Sequence, residues 1–176
     1  MNHIYIITGD QGEGKTTMIK HVISELRQAK VKTDGFIAEG TWKDGIRDDF
    51  LLVRISNDWQ IPLCRSKPKE GYQQLGRFWF NPEAIRAGEE ILNSCLVGET
   101  EVIVLDEIGI FELEGEVWHD AFVRLLQSDK PVIISVRRKL KDKVLDKFAI
   151  KNYSLLSVGE SYSHAAGIIR KSLKSN

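Results

Sequence analysis

Residues 9–17 read Gly-Asp-Gln-Gly-Glu-Gly-Lys-Thr-Thr, directly after the apolar run 3–8, His-Ile-Tyr-Ile-Ile-Thr. A G-x-x-x-x-G-K-T pattern at the end of such a run predicts a buried strand that passes through one tight turn into a helix. Met18, Ile19, Val22, Ile23 and Leu26 recur at helical spacing behind it, so the helix is expected over about Thr16–Ala29. In this setting Gly9, Gly12 and Gly14 are expected to take positive φ and bring backbone N–H groups close to an anion. Asp10, Gln11 and Glu13 complete the turn, and Thr17 follows on the first helical turn. Lys15 is then an exposed point charge for the β- and γ-phosphates of a nucleotide, and the Thr16 hydroxyl is placed to ligate Mg²⁺. The positive end of the helix dipole adds to the same field.

The rest of the chain supplies a sheet for that turn to sit on. Asp34–Glu39 is a strand candidate, and so is the continuous apolar run Val102–Leu105, which is typical of a strand buried on both faces. Pro131–Val136 has the same character, and Tyr153–Val158 is expected as a last strand. Helices are expected from the Asn81-Pro82 cap to about Leu96, near Glu116–Gln127, around Lys141–Phe148 and near Ser163–Leu173. Between them, residues 40–77 carry turn signals and two strand-like runs, Phe50–Ile55 and Ile61–Cys64, and are read as antiparallel hairpins grafted on the sheet. The expected fold is therefore α/β, a three-layer P-loop fold with a mostly parallel, doubly wound sheet and a hairpin insertion. The length predicts one domain spanning 1–176.

Strand Val102–Leu105 ends in Asp106 and Glu107 at the sheet edge where open α/β folds place ligands. Asp106 is expected to hold Mg²⁺ through water or through Thr16, and Glu107, turned to the other side of the strand, to orient or deprotonate an attacking group. The roughly 90 residues between Lys15 and Asp106 leave room for one strand between theirs. Arg137, Arg138 and Lys139 follow the Pro131–Val136 run. They read either as cations aimed at a transferring phosphoryl group or as the solvated start of a basic helix. Arg47 in the insertion is a further candidate for the phosphates, and Tyr162 for a base.

Lys plus Arg equals Asp plus Glu at 25 each, which leaves no electrostatic footprint for nucleic acid or an anionic membrane. No apolar run approaches bilayer length, so a cytoplasmic protein is expected. Cys64 and Cys95 lack metal or redox spacing and read as buried thiols, while His3, His21, His119 and His164 form no metal pair.

These segments together resemble the small P-loop nucleoside-triphosphatases, the cancer-related NTPase family. The resemblance runs through residues 9–17, the segment 34–39 with the 45–47 turn and Phe50, the Asp-Glu-Ile-Gly run at 106–109 with Glu112 and Leu113, and residues 131–138. It implies a slow, Mg²⁺-dependent enzyme that hydrolyses ATP and GTP with broad nucleotide tolerance. The chain differs from the family pattern at Asp49, Ile110, Phe111 and Arg137, and the pattern's Asn-Arg pair has no clear match near residues 160–163. Two other readings stay open on the residues alone. One is a small-molecule or nucleotide kinase with the 40–77 insertion as acceptor pocket. The other is a nucleotide-binding adapter with little turnover, acting through a protein or small-molecule partner.

Overall fold

A computed structural model describes residues 2–43 and 46–173, without the side chains of residues 42–48. Strand β1 (Ile4–Gly9) is buried throughout and leads into helix α1 (Lys15–Gln28). Strands β2 (Thr33–Lys43), β3 (Ile46–Arg54), β4 (Gln60–Arg65), β5 (Gln73–Leu75) and β6 (Phe78–Phe80) follow in succession. Helix α2 (Pro82–Val97) starts as the sequence predicts, with the Asn81 side chain accepting the Glu83 N–H at 3.1 Å and proline in the first turn. Then come β7 (Val102–Ile108), α3 (Ile110–Leu113), α4 (His119–Gln127), β8 (Val132–Arg137), α5 (Lys141–Lys147), β9 (Tyr153–Ser157) and α6 (Tyr162–Leu173).

One nine-stranded sheet runs in the order β5-β6-β4-β3-β2-β7-β8-β1-β9. From β2 to β9 all neighbours are parallel, and β8 lies between the strand of the glycine-rich turn and the strand ending in Asp106, as the chain separation predicted. α1 and α6 cover one face, with Met18, Ile19, Val22 and Ile169 packed on Tyr5 and Ile7. α2, α4 and α5 cover the other, packing Leu92, Phe122 and Val144 on Ile103, Ile134 and Val136. Helices on both faces are what continuous apolar strands require, since neither face tolerates water.

The insertion is the expected antiparallel graft. Strand β2 is 11 residues long; its first half pairs parallel to β7, and from Phe36 it pairs antiparallel to β3. The hairpins thus prolong the same sheet, and they end at Phe80 rather than residue 77. A further difference lies at 116–127, where the helix begins only at His119 and the extra turn α3 precedes it. The short apolar stretch 110–113 carries too few residues for a period to register.

The junction of β2 and β7 depends on Gly35. Its φ is +126°, and a Cβ there would lie 2.0 Å from the Val104 carbonyl oxygen and 2.8 Å from the Val104 nitrogen. Backbone cannot yield as a flexible side chain does, so Gly35→Ala is expected to destabilise the fold by about 3 kcal/mol or more. Urea unfolding monitored by circular dichroism checks this, and a loss under about 1 kcal/mol would show that the two strands separate without cost.

Candidate nucleotide-binding site

The glycine-rich turn sits at the carboxyl end of β1. Gly12 and Gly14 have φ of +81° and +98°, the left-handed geometry the sequence predicts, and Gly14 caps α1. Gly9 is different: it is the last residue of β1 and has no positive φ. Its lack of a side chain serves close approach, because a Cβ would come within 2.9 Å of Val158 Cγ2 and 3.0 Å of Glu13 Oε2. Glu13 folds back to accept the Asp10 N–H at 2.7 Å, and this hydrogen bond holds its carboxyl below the usual range. Gln11 and Thr17 are exposed. Lys15 is not the exposed side chain expected; it is 4% exposed, and its Nζ donates to the Asp10 carbonyl at 3.0 Å, inside the turn.

Asp106 joins this turn to the sheet. Its carboxylate is fully buried and accepts the Thr16 hydroxyl at 2.9 Å and the Ala38 N–H at 3.2 Å, both on Oδ2. Ser135 Oγ donates to Oδ1 and in turn accepts the Glu107 N–H at 2.9 Å. Burial lifts the Asp106 pKa above the carboxylate range, the Glu107 charge lifts it further, and the three hydrogen bonds oppose both. Ser135 was missed as a site residue. Its signal was one hydroxyl in the otherwise apolar run Val132–Val136, where a buried polar group must find a partner.

Glu107 lies on a bulge. Its φ is +63°, and the register with β8 shifts between Leu105 and Ile108. Side chains alternate faces up to Asp106, which points to α1, but Leu105 and Ile108 both pack on the α2–α4 side. Glu107 opens on that side into a cavity of about 520 Å³, together with Gln11 and Arg137. A left-handed non-glycine residue beside the site is costly, and such strain recurs where a side chain must be re-aimed.

The two arginines part company. Arg137 ends β8 in register with Gly9 and lines the cavity with Glu107. Arg138 pairs with the glycine-rich turn, with Nη2 3.1 Å from Glu13 Oε2 and Nε 3.7 Å from Asp10 Oδ2. Lys139 also borders the cavity. The Tyr162 ring stacks on His21 of α1, centroids 4.3 Å apart and 8° from parallel. The Arg47 and Trp42 side chains lie outside the described residues. Trp118 is core, and Trp59 is exposed. Cys64 and Cys95 are free and buried, and burial pushes their thiols up to about 12 and about 11.

Glu112 on α3 was read only as part of a sequence pattern, yet it is 2% exposed and accepts the Gly109 N–H at 2.9 Å. Burial raises its pKa from 4.5 to about 7. A carboxyl raised in the folded state adds stability below its unfolded pKa and loses it as pH rises through the folded value. Wild-type stability should therefore fall relative to Glu112→Gln by about 1–3 kcal/mol between about pH 4.5 and pH 7. Denaturant titrations across that window check the difference, and parallel pH profiles would contradict it.

Thr16 and Asp106 present a hydroxyl and a carboxylate in contact, hard oxygen donors that fit Mg²⁺ completed by water and phosphate oxygens. Among the described residues no group of three or more His, Cys, Asp or Glu side chains forms an all-protein metal cage, and no helix is long and apolar enough to cross a membrane.

A glycine-rich turn on a parallel sheet, tied through a threonine to an acidic strand end, defines a P-loop nucleotide-binding α/β protein. A family model described as NTPase matches residues 4–162. Among curated proteins, the nucleoside-triphosphatase THEP1 of Metallosphaera sedula is 36% identical over 135 residues, 76% of this chain and 71% of its own. That of Hyperthermus butylicus is 30% identical over 143 residues, covering 81% and 75%. The chain belongs to this NTPase family, whose named members are nucleoside-triphosphatases. Two solved structures share the fold. A human cancer-related nucleoside triphosphatase superposes with a TM-score of 0.69 at 24% identity over 100% of this chain and 99% of that one. THEP1 of Aquifex aeolicus gives 0.70 at 18% identity over 97% and 99%.

Proposed function

We propose that this protein is a single nucleotide-binding domain that hydrolyses ATP or GTP, with Mg²⁺, to the diphosphate and phosphate. The observation that carries the proposal is the Thr16–Asp106 hydrogen bond at 2.9 Å, which sets the phosphate turn against the strand end bearing Glu107. Residues Gly9, Asp10, Gln11, Gly12, Glu13, Gly14, Lys15, Thr16 and Thr17 form the nucleotide site. Lys15 exchanges the Asp10 carbonyl for the β- and γ-phosphate oxygens, a stronger, charge-assisted partner. Thr16 and Asp106 would hold the Mg²⁺, which supplies charge neutralisation on the phosphates when bound.

Glu107 takes the proton of the attacking water, because it faces the cavity beside Gln11 and its carboxylate accepts hydrogen bonds. Arg137, on the same cavity, stabilises charge on the transferring group, whereas Arg138 braces the turn through Glu13 and Asp10. Broad nucleotide tolerance is supported by the character of the site, which is built on phosphate contacts. A cytoplasmic setting belongs to the same reading, supported by the two free thiols.

The test is to follow γ-labelled ATP and GTP with wild-type protein and with Lys15→Ala and Lys15→Met, the second preserving the buried stem. Label should reach free phosphate with wild type, and both variants should lose roughly tenfold or more in triphosphate affinity by calorimetry. Unchanged affinity in folded variants would remove the phosphate-site assignment.

A further inference from the structure

Hydrolysis needs the turn, Asp106, Glu107 and one arginine, all on the parallel part of the sheet. The cavity that Glu107 faces is far larger than a water molecule requires. Its volume of about 520 Å³ falls in the range of organic-ligand sites. Most of its wall comes from the antiparallel extension and from α3, elements that the phosphate chemistry does not use. Phe50 on β3, Phe78 and Phe80 on β6, and Phe111 on α3 line it.

Those rings follow one another edge to face. Phe50–Phe78, Phe78–Phe80 and Phe80–Phe111 have centroids 5.7, 6.5 and 5.0 Å apart and interplanar angles of 86°, 79° and 79°. Phe50, Phe78 and Phe111 are only partly buried, which leaves ring surface for a further planar group that gains from the same quadrupole geometry. The wall also carries polar groups, among them Glu107, Gln11 of the phosphate turn and Arg137. A carboxylate oxygen accepts hydrogen bonds, so the group Glu107 selects on a guest is a donor such as a hydroxyl. A guest with its ring among the phenylalanines and its hydroxyl at Glu107 lies beside the phosphate turn.

We propose that this cavity binds a second substrate, a small planar-ring molecule carrying a hydroxyl group, and that the protein transfers the γ-phosphoryl group to it. The inference rests on the triphosphate site proposed above. In the transfer the guest oxygen forms a bond to the γ-phosphorus and Glu107 takes the hydroxyl proton. The bond from the γ-phosphorus to the β–γ bridging oxygen breaks, giving a phosphate monoester and the nucleoside diphosphate. Glu107 then returns its proton to solvent. With no guest bound, water occupies the place of the hydroxyl and hydrolysis follows from the same geometry.

The experiment uses the whole protein with Mg²⁺ and γ-labelled ATP, and three ring-bearing primary alcohols as probes: benzyl alcohol, 4-pyridinemethanol and uridine. Toluene serves as a ring without a hydroxyl. Ligand-detected NMR reads binding, and chromatography reads where the label goes. At least one alcohol should bind saturably at millimolar concentration and acquire label, while toluene acquires none. Phe78→Ala and the volume-preserving Phe78→Leu should weaken probe binding and transfer about tenfold while hydrolysis without probe stays near wild type. Label confined to free phosphate with every probe, or transfer unchanged in both folded variants, overturns the inference and leaves hydrolysis standing. Label that never leaves ATP, with or without probe, removes the hydrolase reading itself.

Discussion

Glu107→Gln is expected to lower turnover by about 10²–10⁴-fold while nucleotide affinity stays close to wild type. The substitution keeps the side chain's shape and its place on the bulge, because the hydrogen bond that locks the bulge runs from the backbone N–H to Ser135. What is lost is the carboxylate's charge and its capacity to take a proton. Removing the Glu107 charge also relieves one of the two influences that raise the Asp106 pKa. Steady-state kinetics with calorimetry of a non-hydrolysable triphosphate separates the two effects. A variant that hydrolyses at the wild-type rate would show that Glu107 takes no proton in the reaction.

Arg137→Ala is expected to lose about 10-fold to 10³-fold in kcat, and Arg138→Ala much less. Charge spreads over the equatorial oxygens in phosphoryl transfer, so a planar cation aimed there lowers the barrier more than it strengthens ground-state binding. Arg137 stands in register with Gly9 and shares a cavity with Glu107. Arg138 is engaged by Glu13 and Asp10 in an exposed pair, whose loss should shift affinity slightly and in a salt-dependent way. Single-turnover rates for each variant at low and high salt distinguish the roles. A kcat loss at Arg138 with none at Arg137 would reverse them, and wild-type kcat in both would exclude a cation from this stretch.

Much of the fold was legible because the cues are local. Continuous apolar runs at Val102–Leu105 and Val132–Val136 predict strands covered on both faces, and the Asn81-Pro82 pair marks the start of α2 by its own side-chain hydrogen bond. In the antiparallel extension β3 and β4 were legible as hairpin strands, but the three-residue β5 and β6 were not. What joins the extension to the parallel part is the exchange of partners within β2, from β7 to β3 around Phe36. The short turn α3 was invisible, since its stability comes from the buried Glu112 carboxyl reaching back to Gly109 rather than from any period.

The candidate site divides in the same way. A glycine pattern, a lysine and two acids at a strand end are set by neighbours in the chain, so sequence alone marked the segments proposed to hold an anion and a metal. Tertiary structure decided the rest, because each remaining feature joins segments far apart in the chain. It buried Lys15 against the Asp10 carbonyl and recruited Ser135 to fix both Asp106 and Glu107. It also set Arg137 on the cavity and Arg138 against Glu13 and Asp10, a difference that adjacent residues of the same type cannot express in sequence. The phenylalanine-lined cavity beside Glu107 arises only when β3, β6 and α3 close on one another, and closure of that kind is a property of packing rather than of any local pattern.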